Sequence, residues 1–298
     1  MTNLRIPPGE PTRSVLFAPA NHVRRVARAL ASAADIVVLD LEDAVPAAEK
    51  ESARAIVTTQ LQVVSHPRVY VRTNHPTDTE FEADLACLEG CHLAGLVIPK
   101  VDGADEIVEL NARIDAFEQR TDRPVGSIEI IPIIESAAGI VHCEAIALAS
   151  PRIRRLIFGG ADYSLDMGLS LDWTADEHEL LYARCKITHA SRAARLEPPI
   201  DTATLQVRDL DRFLRSASNA RTLGFQGKLC LHPDQIEPCH AAFMPSERDI
   251  SAARRVLAAW SAAATAGSGA IEVDGHFVDE PVAERARRLL KRAGQEDQ

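Results

Sequence analysis

The chain has 298 residues, 46% of them hydrophobic, which is enough for one large core; a parallel α/β barrel takes about 250 residues. A net charge of −10 argues against a nucleic-acid-binding protein, which would show a basic patch, but leaves room for local basic pockets that hold an anion. The opening MTNLRIPPGEPTRS has no apolar signal core and no run is long enough to span a bilayer, so no membrane role is expected.

The six cysteines, Cys87, Cys91, Cys143, Cys185, Cys230 and Cys239, are scattered. Cys87 and Cys91 lie one helical turn apart beside His92, but no second pair of ligands follows, which disfavours zinc. Buried reduced thiols in a cytoplasmic setting are expected.

After a proline-rich lead-in, the apolar run Ser14–Phe17 predicts a first strand, stopped at Pro19. Asn21 is placed to cap a helix carrying Val23, Val26, Ala27 and Leu30. Ile36–Leu39 predicts a second strand that runs into the acidic cluster Asp40–Asp43, and Pro46–Leu61 reads as helix. Arg68–Val71 is the third strand, ending at Arg72, and the helix Thr79–Leu88 follows. Leu96–Ile98 is the fourth, with Pro99 and Lys100 at its end. The helix Ala104–Gln119 comes next, with Ile107, Leu110, Ile114 and Phe117 on one face.

Ile130–Ile134 predicts a fifth strand ending in Glu135, followed by a helical pattern over Ala137–Ala149. Leu156–Phe158 is the sixth and ends in Gly159, Gly160 and a second acid, Asp162. Thr174–Leu196 reads as one long helix, Pro198–Ile200 as a weak seventh strand and Val207–Leu223 as a helix. Lys228–Leu231 is the eighth strand and ends at His232 and Pro233.

Eight apolar runs alternating with helices imply an α/β fold with a closed parallel sheet, a TIM (β/α)8 barrel, over residues 1–245. No GxGxxG follows the first strand, which weakens a dinucleotide-binding reading. Residues 246–298 carry a helix over Ser246–Ala264, a flexible TAGSGA link and a hairpin signal at Asp274-Gly275. A last helix opens at Asp279. This helical and hairpin extension reads as a lid or a subunit contact.

In parallel α/β folds the strand C-termini form the active-site face. Glu135 and Asp162 there offer two hard oxygen ligands that suit Mg²⁺, or each simply favours the start of the helix after it. Glu42 and Asp43 are placed to bind metal waters or to orient a basic group, or they form a solvated acidic turn. Arg72 either pairs with that acidic cluster or holds a substrate carboxylate or carbonyl bidentately. Lys100, His232 and Arg13 are rim or surface residues or further contacts. Asp279 is explained as a helix N-cap with a proline close behind.

Together these stretches resemble the citrate lyase β-subunit-like group of the HpcH/HpaI aldolase superfamily. The matching motifs are RSVLFAPAN (13–21), DIVVLDLEDAVPAAEKESAR (35–54), VYVRTN (69–74), GLVIPK (95–100), IIPIIESAAGI (130–140), FGGADYSLDMG (158–168), GKLCLHPDQI (227–236) and VDEPVAERAR (278–287). The resemblance runs through nearly the whole chain, in order.

It implies a TIM barrel with a C-terminal extension, assembled as a trimer or hexamer. The implied activity is Mg²⁺-dependent cleavage or formation of the C–C bond of a 3-hydroxyacyl thioester, such as malyl-, citramalyl- or citryl-CoA, giving an acyl-CoA and a 2-oxo acid. By resemblance Glu135 and Asp162 are the metal ligands and Arg72 faces the oxo acid. Asp279 resembles an acid/base contributed by a neighbouring subunit, and Glu42 and Asp43 join the candidate catalytic set. Arg13, Lys100 and the helix start after His232 are the candidate coenzyme A contacts.

Two positions depart from the pattern. Ala20 stands where a glycine is common, and Asp43 stands where the pyruvate-aldolase branch carries a histidine. The second departure points to the thioester branch. A citrate lyase β-subunit acting on a carrier-protein thioester and a malyl-CoA thioesterase are the alternatives.

Overall fold

The computed structural model describes residues 12–63, 68–265 and 267–295. Eight parallel strands close into a barrel in sequence order. They are β1 (Ser14–Pro19), β2 (Ile36–Asp40), β3 (Val69–Arg72), β4 (Gly95–Ile98), β5 (Glu129–Ile134), β6 (Ile157–Phe158), β7 (Ile200–Asp201) and β8 (Gly227–Cys230). The helices between them are α1 (Val23–Leu30), α2 (Lys50–Leu61), α3 (Phe81–Ala86), α4 (Ala104–Arg120), α5 (Ala137–Leu148), α6 (Gly160–Asp166), α7 (Leu181–Ala193) and α8 (Leu210–Thr222), with α9 (Ile236–Phe243) after β8.

The strand alternation decides what fills the barrel. Ile36 and Val38, Tyr70, Val97, Ile131 and Ile133, Ile157, Ile200 and Leu229 form one buried cluster, and each such side chain contributes roughly 1.5–3 kcal/mol by leaving water. Two residues further along three of these strands, the same face carries Asp40, Arg72 and Glu135 instead. On β6, two residues past Ile157, it carries Gly159, which has no side chain. The apolar filling therefore ends in a charged layer at the C-terminal mouth.

The N-terminal mouth is closed by a separate network. The Tyr70 hydroxyl donates to Glu129 at 3.0 Å and Arg155 bridges Glu129 and Glu197 at 2.8 and 2.7 Å. Outside the barrel, Arg184 of α7 and Lys228 of β8 both meet the fully buried Asp201 of β7, at 2.8 and 2.7 Å.

Three local expectations change. The long helix expected from Thr174 starts at Leu181, as α7, because Thr174 donates from its backbone and hydroxyl to Glu179 and Glu177 turns left-handed at φ 52°. The short helix α6 was not anticipated. His22, not Asn21, takes the N-cap position of α1, and Asn21 bonds Glu49 instead.

The chain separates into two compact units, the first ending at Ala242 and the second beginning at Phe243. In the second unit α10 (Glu247–Thr265) packs on α11 (Glu280–Arg292) through Ile250, Ala253, Ala286 and Leu290. The strands β9 (Ile271–Val273) and β10 (His276–Val278) form an antiparallel hairpin. Its turn residues Asp274 and Gly275 both have positive φ, 52° and 78°, the conformation a tight hairpin turn requires. Among the described residues no helix is long and apolar enough to cross a membrane.

Candidate active site

Arg72 and Asp40 face each other in register across β3 and β2. Arg72 donates from Nε and Nη2 to the two oxygens of Asp40 at 2.7 and 2.6 Å, a part-buried bidentate pair. Its Nη1 lies 2.9 Å from Glu42 Oε2, and the guanidinium stands 5.2 Å over the Phe17 ring. Burial opposes the charge, but Asp40 and Glu42 outweigh it and hold the guanidinium protonated. Of the two readings the sequence left for Arg72, the structure shows the pairing with the acidic cluster: Asp40 occupies the bidentate edge, and Nη1, beside Glu42, lies outside that pair.

Glu135 is 4% exposed. Its Oε1 accepts from the Lys100 backbone N–H at 2.7 Å. It does not cap α5; Ser136 does, accepting from Gly139 N at 2.9 Å. Burial first, and the Asp162 charge second, push the Glu135 carboxyl up to about 8. A cation beside the group would favour its charged form.

Asp162 sits in the first turn of α6 rather than at the strand end itself. Both ends of that helix are tied down. Gly160 N donates to Thr202 Oγ at 2.8 Å, and Asp166 accepts from Ala137 N of α5 at 2.7 Å. Among the described residues no hydrogen bond or ion pair engages the Asp162 carboxylate, so its oxygens remain available to a ligand.

Gly159 completes this cradle. A Cβ there would lie 2.3 Å from Glu135 Oε2 and 2.5 Å from Glu135 Cβ. Among the described residues no group of three or more His, Cys, Asp or Glu side chains is arranged to hold a metal. Two carboxylates with open positions around them nonetheless match a hard divalent cation that keeps waters and takes substrate oxygens.

Glu42 lies between two cations. Its Oε1 accepts from Lys100 Nζ at 2.5 Å while Oε2 meets Arg72. Lys100 also reaches both oxygens of Asp43, at 3.2 and 3.0 Å. The backbone of this acidic loop is clamped from behind: Lys50 Nζ donates to Leu41 O at 2.8 Å and to Asn74 Oδ1 at 2.7 Å. Asn74 in turn donates to Asp84.

Arg13 does not belong to this site. It precedes β1, so it stands at the N-terminal mouth, the opposite end of the barrel. There it pairs with Asp35 at 2.8 Å, while its carbonyl accepts from Lys228 N. His232 is at the correct end, where its Nδ1 accepts from Asp234 N at 3.2 Å. Asp279 caps α11 by accepting from Val282 N at 3.2 Å, and it lies in the second unit.

A cavity of about 510 Å³ opens at the C-terminal mouth against Asp40 and Arg72. Its walls include Phe17, Leu231 and His232 together with Arg25, Arg28 and Arg208. These three arginines have no carboxylate partner among the described residues. Sequence reasoning missed them, although Arg25 and Arg28 lie three apart, on one face of the helix that follows β1.

Residues 13–233 match the HpcH/HpaI aldolase/citrate lyase family. The chain belongs to that family. It is 37% identical over 283 residues to the citrate lyase subunit beta of Leuconostoc mesenteroides subsp. cremoris, covering 94% of this chain and 93% of that protein. It is 34% identical over 310 residues to an L-malyl-CoA/beta-methylmalyl-CoA lyase of Cereibacter sphaeroides, covering 96% of each. Among solved structures it is similar to CitE from Mycobacterium tuberculosis in complex with magnesium, acetoacetate and coenzyme A. That match has a TM-score of 0.80 and 30% identity and covers 95% of this chain and 98% of that one. Within the HpcH/HpaI aldolase/citrate lyase family, the pair Glu135 and Asp162, with Arg72 opposite, occupies the C-terminal mouth on which TIM barrels carry their chemistry.

Proposed function

We propose that the protein is a Mg²⁺-dependent C–C lyase. It cleaves or forms a 3-hydroxyacyl-CoA such as malyl-, citramalyl- or citryl-CoA, with an acyl-CoA and a 2-oxo acid as the other side of the reaction. The observation that carries this reading is the make-up of the C-terminal mouth: a buried Glu135, an Asp162 whose carboxylate has no hydrogen-bond or ion-pair partner among the described residues, and an Arg72 that also lines a cavity walled by Arg25, Arg28 and Arg208. The magnesium, acetoacetate and coenzyme A held by the related CitE structure support the same ligand set.

In this reading Glu135 and Asp162 hold the Mg²⁺. When bound, the ion supplies Lewis-acid stabilisation of charge on substrate oxygens. Arg72 Nη1 binds the carboxylate or developing oxo group of the acid half, and Asp40 keeps its guanidinium in plane. Arg25, Arg28 and Arg208 take the phosphates of coenzyme A.

In cleavage the hydroxyl gives its proton to a water of the open mouth, its oxygen becomes the keto oxygen of the 2-oxo acid, and the C–C bond breaks towards the thioester. Its electron pair leaves as a thioester enolate, and Asp279, supplied by a neighbouring copy of the chain, protonates the enolate carbon. In condensation the same aspartate removes that proton. Closing the site as Asp279 arrives keeps water from the enolate. The assembly is a homo-oligomer, a trimer or hexamer, and the unpaired thiols of all six cysteines suit the reducing cytoplasm.

A second reading, a citrate lyase β-subunit working on a carrier-protein thioester, is favoured by the higher identity to the Leuconostoc subunit. Purified protein with Mg²⁺ and a panel of malyl-, citramalyl- and citryl-CoA separates the two. Release of a 2-oxo acid together with an acyl-CoA, lost in Glu135→Ala and Asp279→Ala, supports the lyase. Turnover confined to carrier-protein thioesters supports the subunit. Free coenzyme A without oxo acid would mean hydrolysis and would sink both.

A further inference from the structure

Lys100 is one of five non-glycine residues with positive φ among those described, at 53°. Lysine adopts this left-handed conformation reluctantly, and such strain persists only where the surroundings over-determine it. Asp122 and Arg195 follow the ends of α4 and α7, and Asp274 lies in a hairpin turn, where a reversal of the chain explains the conformation. Lys100 has no such excuse: it follows Pro99 at the C-terminal end of β4, inside the charged mouth.

What the strain achieves is visible in its contacts. The left-handed turn aims the Lys100 N–H at Glu135 Oε1, 2.7 Å away. The same turn sends the side chain across the mouth, where the ammonium meets Glu42 Oε1 and both oxygens of Asp43 at 2.5, 3.2 and 3.0 Å. An ammonium has three donors, and three carboxylate oxygens surround this one. Glu42 then reaches Arg72 Nη1 with its second oxygen at 2.9 Å. One residue thus joins the carboxylate on the metal side of the mouth to the guanidinium on the oxo-acid side.

We infer that Lys100 is a positioning residue, not a substrate contact: its backbone aims Glu135, and its side chain anchors Glu42 by Oε1, so that Glu42, whose Oε2 already lies 2.9 Å from Arg72 Nη1, does not close further over the oxo-acid seat there. This inference rests on the metal and oxo-acid reading given above. Without the ammonium, Arg72 is the one cation left to Glu42 among the described residues, so Glu42 tightens the contact it already makes with Nη1 and competes with the incoming carboxylate. The Pro99–Val101 turn also loses its anchor, so the N–H drifts from Glu135.

The test titrates the full-length protein calorimetrically, first with Mn²⁺ alone and then with pyruvate in saturating Mg²⁺. The variants are Lys100→Met, Lys100→Arg, Glu42→Gln and the Lys100→Met/Glu42→Gln double. Expected are several-fold weaker Mn²⁺ binding and tenfold or greater loss of pyruvate affinity in Lys100→Met, within the range seen when groups that orient metal ligands are removed. Lys100→Arg restores most of both. The double variant binds pyruvate no worse than Lys100→Met, because the two side chains act through one contact.

Equal Mn²⁺ affinity in wild type and Lys100→Met overturns the inference, whether or not the wild type binds pyruvate. Independent, multiplying losses in the double variant overturn it as well. A wild type that binds Mn²⁺ but no pyruvate contradicts the oxo-acid reading instead, and the Mn²⁺ comparison still decides the role of Lys100.

Discussion

Replacing Gly159 by alanine places one methyl group against the metal cradle. The added carbon would lie 2.3 Å from Glu135 Oε2, 2.5 Å from Glu135 Cβ and 3.0 Å from Ile133 Cγ2. The first two contacts are far inside van der Waals distance, so Glu135 must move. It is 4% exposed and held from the other side by the Lys100 N–H, so it has little room to do so. Overpacking of this kind costs about 1–3 kcal/mol, or roughly 2–10 °C in melting temperature for a domain of this size.

The larger effect is on the metal. A displaced Glu135 leaves Asp162 as the one carboxylate ligand. Melting curves of wild type and Gly159→Ala, each with EDTA and with 10-millimolar-scale Mg²⁺, separate the two effects. Wild type gains stability with Mg²⁺ as ligand linkage requires, about 2.7 kcal/mol when the ion stands at a hundred times its dissociation constant. In Gly159→Ala the baseline falls and the Mg²⁺ gain disappears. An unchanged Mg²⁺ gain in a destabilised Gly159→Ala would refute the placement of the ion at Glu135.

Three further outcomes follow from the same geometry. Because burial lifts Glu135 from its ordinary 4.5 to about 8, the metal-free folded state holds a proton that the unfolded state releases. Its stability therefore falls as pH rises from about 4.5 to about 8, by a total on the order of 5 kcal/mol. Denaturant melts in EDTA check the slope, and saturating Mg²⁺ removes it; a flat EDTA profile contradicts the shift. Lys228→Met leaves Asp201 with Arg184 alone in a fully buried position and costs about 3–5 kcal/mol in equilibrium unfolding. A loss under 1 kcal/mol would show the network to be dispensable. Arg25→Ala combined with Arg28→Ala raises KM for the coenzyme A thioester about tenfold, with a weaker dependence on salt, while pyruvate affinity is unchanged; an equal loss for pyruvate would place these arginines elsewhere in the reaction.

The barrel was legible because its strands are short apolar runs with inward residues every second position, and Glu135 and Arg72 continue that period past the filling. Their arrival at one mouth follows from parallel strands alone. The same logic assigns Arg13, which precedes its strand, to the far mouth, so chain direction should have excluded it from the site. The Asp40–Arg72 pair could not be read, because strand register decides which residues face each other and nothing in two separate apolar runs states it. α6 was hidden because two glycines open it, and glycine is a poor helix former. The early half of Thr174–Leu196 has helical composition, and only the side-chain bonds of Thr174 to Glu179 show why it turns instead.

The central claim is that a C–C bond breaks towards the thioester and that the resulting carbon is protonated. Cleavage of malyl-CoA in D₂O with Mg²⁺, followed by mass analysis of the acyl product, tests it most directly. The account predicts acetyl-CoA carrying one deuterium on its methyl carbon, with glyoxylate in equal amount. Free coenzyme A and intact malate, with no deuterium on carbon, would contradict it.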